Sequence, residues 1–183
     1  MICRLKMETI NFKCLQCGSC CKQIVIETDD ETNNISVGMC LRPKEVKLFK
    51  AYKETEIVPY IGLQRENWTK TKIIMWQMIT EPCPLLDKKT NLCLNYENRP
   101  VICKCYPFSI EQNGLSIENH CTYCELNVHG VVNIIKEPSQ NSALVIQHNM
   151  FKRLENMLNS DKKTTGVIFD FKKKIWLTNG VVE

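Results

Sequence analysis

Twelve of the 183 residues are cysteine, and four of them, Cys14, Cys17, Cys20 and Cys21, fall in the single stretch CLQCGSCCKQ. A CxxC pair turns tightly enough to aim both sulfurs at one centre, and two such pairs make the common structural zinc site. A CxxCxxC run crowds three thiolates from one short loop around a single tetrahedral ion, whose Zn–S bonds are only about 2.3 Å long. A cubane iron–sulfur cluster offers separate iron corners instead, and the ferredoxin run C-x2-C-x2-C-x3-C-P has this spacing. Gly18 suits such a loop because it permits positive φ and close backbone approach to the sulfurs. The spacing therefore leans towards a cluster. The adjacent Cys20 and Cys21 are expected to diverge, serving two centres or one centre and a free thiol; ferredoxin runs show the first arrangement.

A second block carries the donors the first lacks. It reads CPLLDKKTNLCLNYENRPVICKCYPF, from Cys83 to Phe108, and is followed by HCTYC at His120–Cys124. Proline at 84, 100 and 107 fixes φ and stiffens the turns around Cys83, Cys93, Cys103 and Cys105. Arg99 has two readings: a donor to a buried anionic thiolate site, or an ion pair with a carboxylate such as Glu97. His120 and His129 are the candidates for acid–base work or ligation, set against the plainer reading of surface histidines. His148 falls in a helical stretch and reads as structural.

Disulfides are the competing use of so many cysteines, but they need an oxidising compartment. The N-terminal MICRLKMETINFK lacks the apolar core of a secretory signal, so a cytoplasmic location is expected, where clustered thiols bind metal or catalyse. No apolar run approaches the roughly 18 residues of a membrane span. The net charge of +4 is mild, and the lysine run 172–174 reads as a solvated face, so neither a membrane nor a nucleic-acid partner is expected.

With both blocks in view, CxxCxxCC followed by CPxL…CxxYxxRPxxCxxYPF resembles the YkgJ-type cysteine-cluster family, described as zinc- or iron-chelating and often as Fe–S-cluster-containing. The resemblance covers about residues 14–121. It implies metal ligation by Cys14, Cys17, Cys20, Cys21, Cys83, Cys93, Cys103 and Cys121, with Tyr96, Arg99, Pro100, Tyr106, Pro107 and Phe108 on the other motif positions. Cys3, Cys40, Cys105 and Cys124 lie outside that pattern, although Cys124 forms a CxxC with Cys121. The same cysteine cluster occurs in flagellin lysine N-methylases, but no strand followed by a GxGxxG turn is present here.

Three functions are therefore open. The first is one or two iron–sulfur clusters, [4Fe–4S] in type, with a structural or electron-transfer role and a redox or protein partner. Two such clusters at about −2 each, counting their thiolates, offset the formal +4. The second is a zinc-stabilised interaction module, with sites such as Cys14/Cys17/Cys20/Cys83 and Cys21/Cys93/Cys103/Cys121. The third is a methyltransferase-like enzyme that carries the cluster as a structural element.

The elements that must position these thiols are read from periodicity. Leu41–Glu54 is expected to be a helix, from Val46, Leu48, Phe49 and Tyr52 with Pro43 in the first turn. The apolar, β-branched stretch that follows reads as strands or a short helix. Ser142–Ser160 reads as an amphipathic helix with Leu144, Val145, Met150, Phe151, Leu154, Met157 and Leu158 on its apolar side. Gly166–Gly180 alternates like a β-hairpin around the lysines. The expected fold is a small α+β, cysteine-rich, metal-stabilised domain whose irregular loops surround the metal centre. Residues 1–130 form the cysteine-cluster part, and the helix and hairpin of 131–183 pack on the same domain.

Overall fold

The computed structural model describes residues 8–12, 14–28, 35–111, 114–117, 121–122, 132–135 and 138–178. Cys3, Cys124, His120 and His129 lie outside these.

The longest apolar, β-branched stretch forms two strands, β5 (Ile57–Arg65) and β6 (Lys72–Met78), joined by a turn in which the Trp68 N–H donates to the Arg65 carbonyl at 2.9 Å. They are the centre of an antiparallel five-stranded sheet. β4 (Met39–Leu41) pairs with β6; on the other side β10 (Thr164–Asp170) pairs with β5 and β11 (Ile175–Thr178) with β10. The C-terminal hairpin expected from alternation is thus β10–β11, and its place is a sheet edge. The fully buried Gln77 locks the sheet. Its amide donates to the Pro59 and Phe169 carbonyls at 2.7 and 2.8 Å and accepts from the Gly38 N–H at 2.7 Å. Because every polar atom of this amide is matched, its burial is tolerated.

Among the described residues three two-stranded pairs stand apart from this sheet. These are β1 (Glu8–Asn11) with β9 (Val132–Ile135), parallel; β2 (Ile26–Thr28) with β3 (Ile35–Val37); and β7 (Phe108–Glu111) with β8 (Gly114–Ile117). Two short helices carry the thiols: α1 (Ser19–Lys22) and α2 (Val101–Cys105). The long helix α3 (Pro138–Ser160) begins four residues before the expected Ser142.

α3 buries a narrower stripe than its composition suggests. Ala143, Leu144, Gln147 and Leu154 are buried, while Val145, Phe151 and Met157 are exposed. The reason is what the helix packs on. Its first half meets α2 through Val101 and Cys105, and its second half meets Ile61, Leu63 and Met75 of the sheet. One line of contact leaves the flanking apolar residues in water. No helix among the described residues is long and apolar enough to cross a membrane.

The segment 41–54 is not the expected α-helix. Leu41 ends β4, opposite Trp76, and the remainder is a chain of i→i−3 turns around a 3-10 helix, Val46–Phe49. The N–H groups of Glu45, Leu48, Tyr52 and Thr55 each donate three residues back, at 2.8–2.9 Å. Tertiary contacts override the helical periodicity here. Glu45 is buried and points away to bind elsewhere, and Phe49 is drawn into a core with Ile24, Leu41, Met78, Leu85 and Leu86. Each such buried side chain contributes roughly 1.5–3 kcal/mol. This core underlies Cys21, Cys83 and Cys93.

Candidate metal centre

The first cysteine block is a tight loop that ends in the single-turn helix α1. Gln16 (φ 52°) and Gly18 (φ 75°) both take the left-handed conformation, which reverses the chain between Cys14 and Cys20. At Gly18 there is also no room for a side chain. A Cβ would come 2.8 Å from the Asn91 carbonyl oxygen and 3.0 Å from Leu86 Cδ1. The first block is thus seated directly on the second.

The second block is shaped by its own hydrogen bonds. The Asp87 carboxylate accepts from the N–H groups of Lys89 and Thr90 at 2.7 and 3.2 Å, and the Asp87 N–H donates to the Leu92 carbonyl at 2.9 Å. This turn folds Cys93 back beside Leu86, so that Cys83 and Cys93 border the same space. Two links tie the blocks together. The Cys83 N–H donates to the Cys21 carbonyl at 2.7 Å, and Glu81 Oε1 accepts from the N–H groups of Ile24 and Val25 at 2.6 and 2.7 Å.

α2 answers what the Cys-Lys-Cys spacing does. Helical residues two apart lie about 200° apart around the axis, so Cys103 and Cys105 face opposite ways. Cys103 enters the space between the blocks, whereas Cys105 is fully buried against Phe12, Phe108, Ala143 and Leu144. The helix is set by Glu45, whose Oε1 accepts the first helical N–H, that of Val101, at 2.9 Å. Arg42 gives the same carboxylate its backbone N–H at 2.9 Å and its guanidinium at 2.6 Å. Burial alone would raise the Glu45 carboxyl, but these donors hold it below the ordinary carboxylate range. Glu45 thus positions Cys103 without touching it, a role that its sequence neighbourhood, RPKE, signals only through the i, i+3 pairing with Arg42.

The result is one cavity of about 300 Å³ lined by all eight family-pattern cysteines, Cys14, Cys17, Cys20, Cys21, Cys83, Cys93, Cys103 and Cys121, and by Cys40 from β4. Cys20 and Cys21 do not diverge, contrary to the sequence expectation. Both lie on α1, where neighbours are about 100° apart rather than opposed as in a strand, and both face this cavity. Cys40 was not expected in the wall and no spacing marked it; strand pairing of β4 on β6 brings it there.

The thiols are electrostatically joined. Cys21, pulled down by a hydrogen bond from Cys20, is nonetheless pushed up to about 12 by its bond to Cys83 and by burial. The Cys20 thiol is raised chiefly by hydrogen bonding to Cys21. Cys103 is raised by burial and by the nearby Cys20, Cys21 and Cys93. Cys83 is lowered by the bond from Cys21. Cys17 is the outermost of the set. Burial would raise it, but the Ser19 and Thr122 hydroxyls, 3.3 and 3.8 Å from its sulfur, keep it below the ordinary thiol value. Met39 adds a thioether: its Sδ accepts from Cys103 Sγ at 3.3 Å.

The donor chemistry of this wall fits a soft metal. Among the described residues no histidine, aspartate or glutamate lines the cavity, which leaves thiol and thioether sulfur. Such ligands select zinc, copper(I) or iron–sulfur centres. Among the described residues no group of three or more Cys, His, Asp or Glu side chains is gathered as for a single ion, although Cys21 is hydrogen-bonded to both Cys20 and Cys83. Arg99 stands in the same wall, its guanidinium carbon 3.7 Å from the centre of the Tyr96 ring, beside Cys14 and Cys103. Among the described residues no ion pair joins it to Glu97.

The family model described as "CxxCxxCC: Putative zinc- or iron-chelating domain" matches residues 13–125, more than half of the chain. No curated protein and no solved structure matches significantly.

Proposed function

This chain belongs to the CxxCxxCC family of zinc- or iron-chelating domains, and on that premise we propose that its cavity holds an iron–sulfur cluster of the [4Fe–4S] type, with a structural or electron-transfer role. The observation that carries this reading is the single sulfur-walled cavity that all eight family-pattern cysteines share. A mononuclear zinc site needs four ligands drawn to one point. Here eight thiols line one space, more than a single tetrahedral ion can bind and enough for a polynuclear centre with several metal corners. One shared cavity favours one centre over two. All eight are candidate ligands, with Cys17 the most exposed, beside Ser19 and Thr122, and Cys14 beside Arg99. The bound group would supply one-electron chemistry or a rigid cross-link between the two blocks; the chain supplies the thiolates, an apolar surround and the seat at Gly18. Zinc, the other metal in the family description, is the alternative.

The test compares cysteines that the fold separates. Cys83→Ser and Cys103→Ser, which face the cavity, lose bound metal, whereas Cys105→Ser, two residues on but in the apolar core, keeps metal while losing some thermal stability. Equal metal content in the Cys103→Ser and Cys105→Ser proteins would contradict the assignment.

A further inference from the structure

Arg99 carries a consequence that the thiol wall alone does not. Its side chain is fixed on two sides. The Tyr96 ring lies under the guanidinium at 3.7 Å, and Pro100 follows directly as the cap of α2. Its Nε–H is buried, and among the described residues it meets no acceptor. A buried donor left unmatched costs about 1–3 kcal/mol, and more when it is charged. The ordinary remedy, a carboxylate, is missing from the cavity wall among the described residues. The ionisable groups beside the guanidinium are the Tyr96 phenol, to which it is hydrogen-bonded, and two thiols, Cys14 on one block and Cys103 on the other.

We propose that Arg99 is a positioning residue that donates from Nε–H to the anionic sulfur of the bound thiolate centre, and so stabilises the more negative state of that centre. The proposal rests on the cluster reading above for its redox consequence. Its chemistry is that of a cation held at fixed range from a group that gains negative charge on reduction. Hydrogen bonds to cluster sulfur and the local net charge set the reduction potential. The planar guanidinium suits the position because it stacks on Tyr96 while keeping a donor directed outwards; a lysine ammonium does neither well.

The test uses full-length protein purified anaerobically, as wild type, Arg99→Gln and Arg99→Lys. Iron and acid-labile sulfide are measured first, and potentials are then read by EPR-monitored redox titration. Arg99→Gln is expected to shift the reduction equilibrium about tenfold against the reduced state, a fall of about 59 mV for a one-electron couple. Arg99→Lys falls between, because it restores the charge but not the stacked donor. An unchanged potential in Arg99→Gln at equal cluster content overturns the proposal. If Arg99→Gln cannot hold the cluster, Arg99→Lys decides: a lowered potential supports the assignment and a wild-type potential refutes it. Zinc without sulfide in the wild type would be a failure of the cluster reading, not of this one. In that case chelator competition is the readout: a loss of zinc affinity of about tenfold or more in Arg99→Gln supports the donor role, and wild-type affinity overturns it.

Discussion

Gly18→Ala is the smallest change that addresses how the two cysteine blocks are held together. Gly18 sits at φ 75°, where an L-residue with a Cβ pays roughly 1–2 kcal/mol. The added methyl would also stand 2.8 Å from the Asn91 carbonyl oxygen. That oxygen cannot swing away freely, since the Asn91 N–H is bonded to the Asp87 carbonyl at 2.8 Å and Asn91 is itself left-handed at φ 58°. Adding about 1 kcal/mol for this displacement gives a total loss near 2–3 kcal/mol, or roughly 5–10 °C in melting temperature for a chain of this size. Calorimetry on metal-loaded protein measures it, with metal content in parallel. Gly18→Asn separates the two causes, because asparagine tolerates left-handed φ but still carries the Cβ; it should recover about half of the loss. A melting temperature for Gly18→Ala within about 1 °C of wild type, with full metal content, would refute the argument that the blocks meet at this residue.

Further expectations follow from the supports around the site. Glu45→Ala leaves the partly buried Arg42 head and the Val101 N–H without their acceptor, and an unmatched buried donor costs about 1–3 kcal/mol; thermal unfolding together with metal content should show both stability and Cys103 ligation weakened. The carboxyl of Glu45 is held below its ordinary value, so its stabilisation is fully present above the unfolded carboxylate range and is lost as pH falls through the lowered native value. Wild-type protein should therefore lose more stability than Glu45→Gln between about pH 5 and pH 2, as followed by denaturant midpoints; identical slopes would contradict the pairing. Phe49, 1% exposed beneath Cys21, Cys83 and Cys93, should cost about 3–5 kcal/mol when cut to alanine, read from urea unfolding at fixed metal content.

Much of the site was legible because thiol spacing is a local signal. The eight cysteines of the two blocks converge on one cavity, and Gly18 is left-handed as the loop required. What spacing could not convey was which face of an element each thiol occupies. Cys20 and Cys21 look divergent until α1 turns them by a helical step, and Cys103 and Cys105 look equivalent until α2 sends them opposite ways. Cys40 and Glu45 reach the site through strand pairing and a long-range carboxylate contact, which leave no pattern in neighbouring residues. The C-terminal helix and hairpin were legible because their periodicity runs over many residues. The helix expected at 41–54 failed because its apolar residues answer to a core built from Ile24, Met78 and Leu85, distant in sequence.

Anaerobic assay of iron and acid-labile sulfide in freshly purified protein asks whether this cysteine-lined cavity holds an iron–sulfur cluster. A [4Fe–4S] centre gives a coloured protein with iron and sulfide in equal amounts, about four of each per chain. A colourless protein with stoichiometric zinc and no sulfide would contradict the cluster reading.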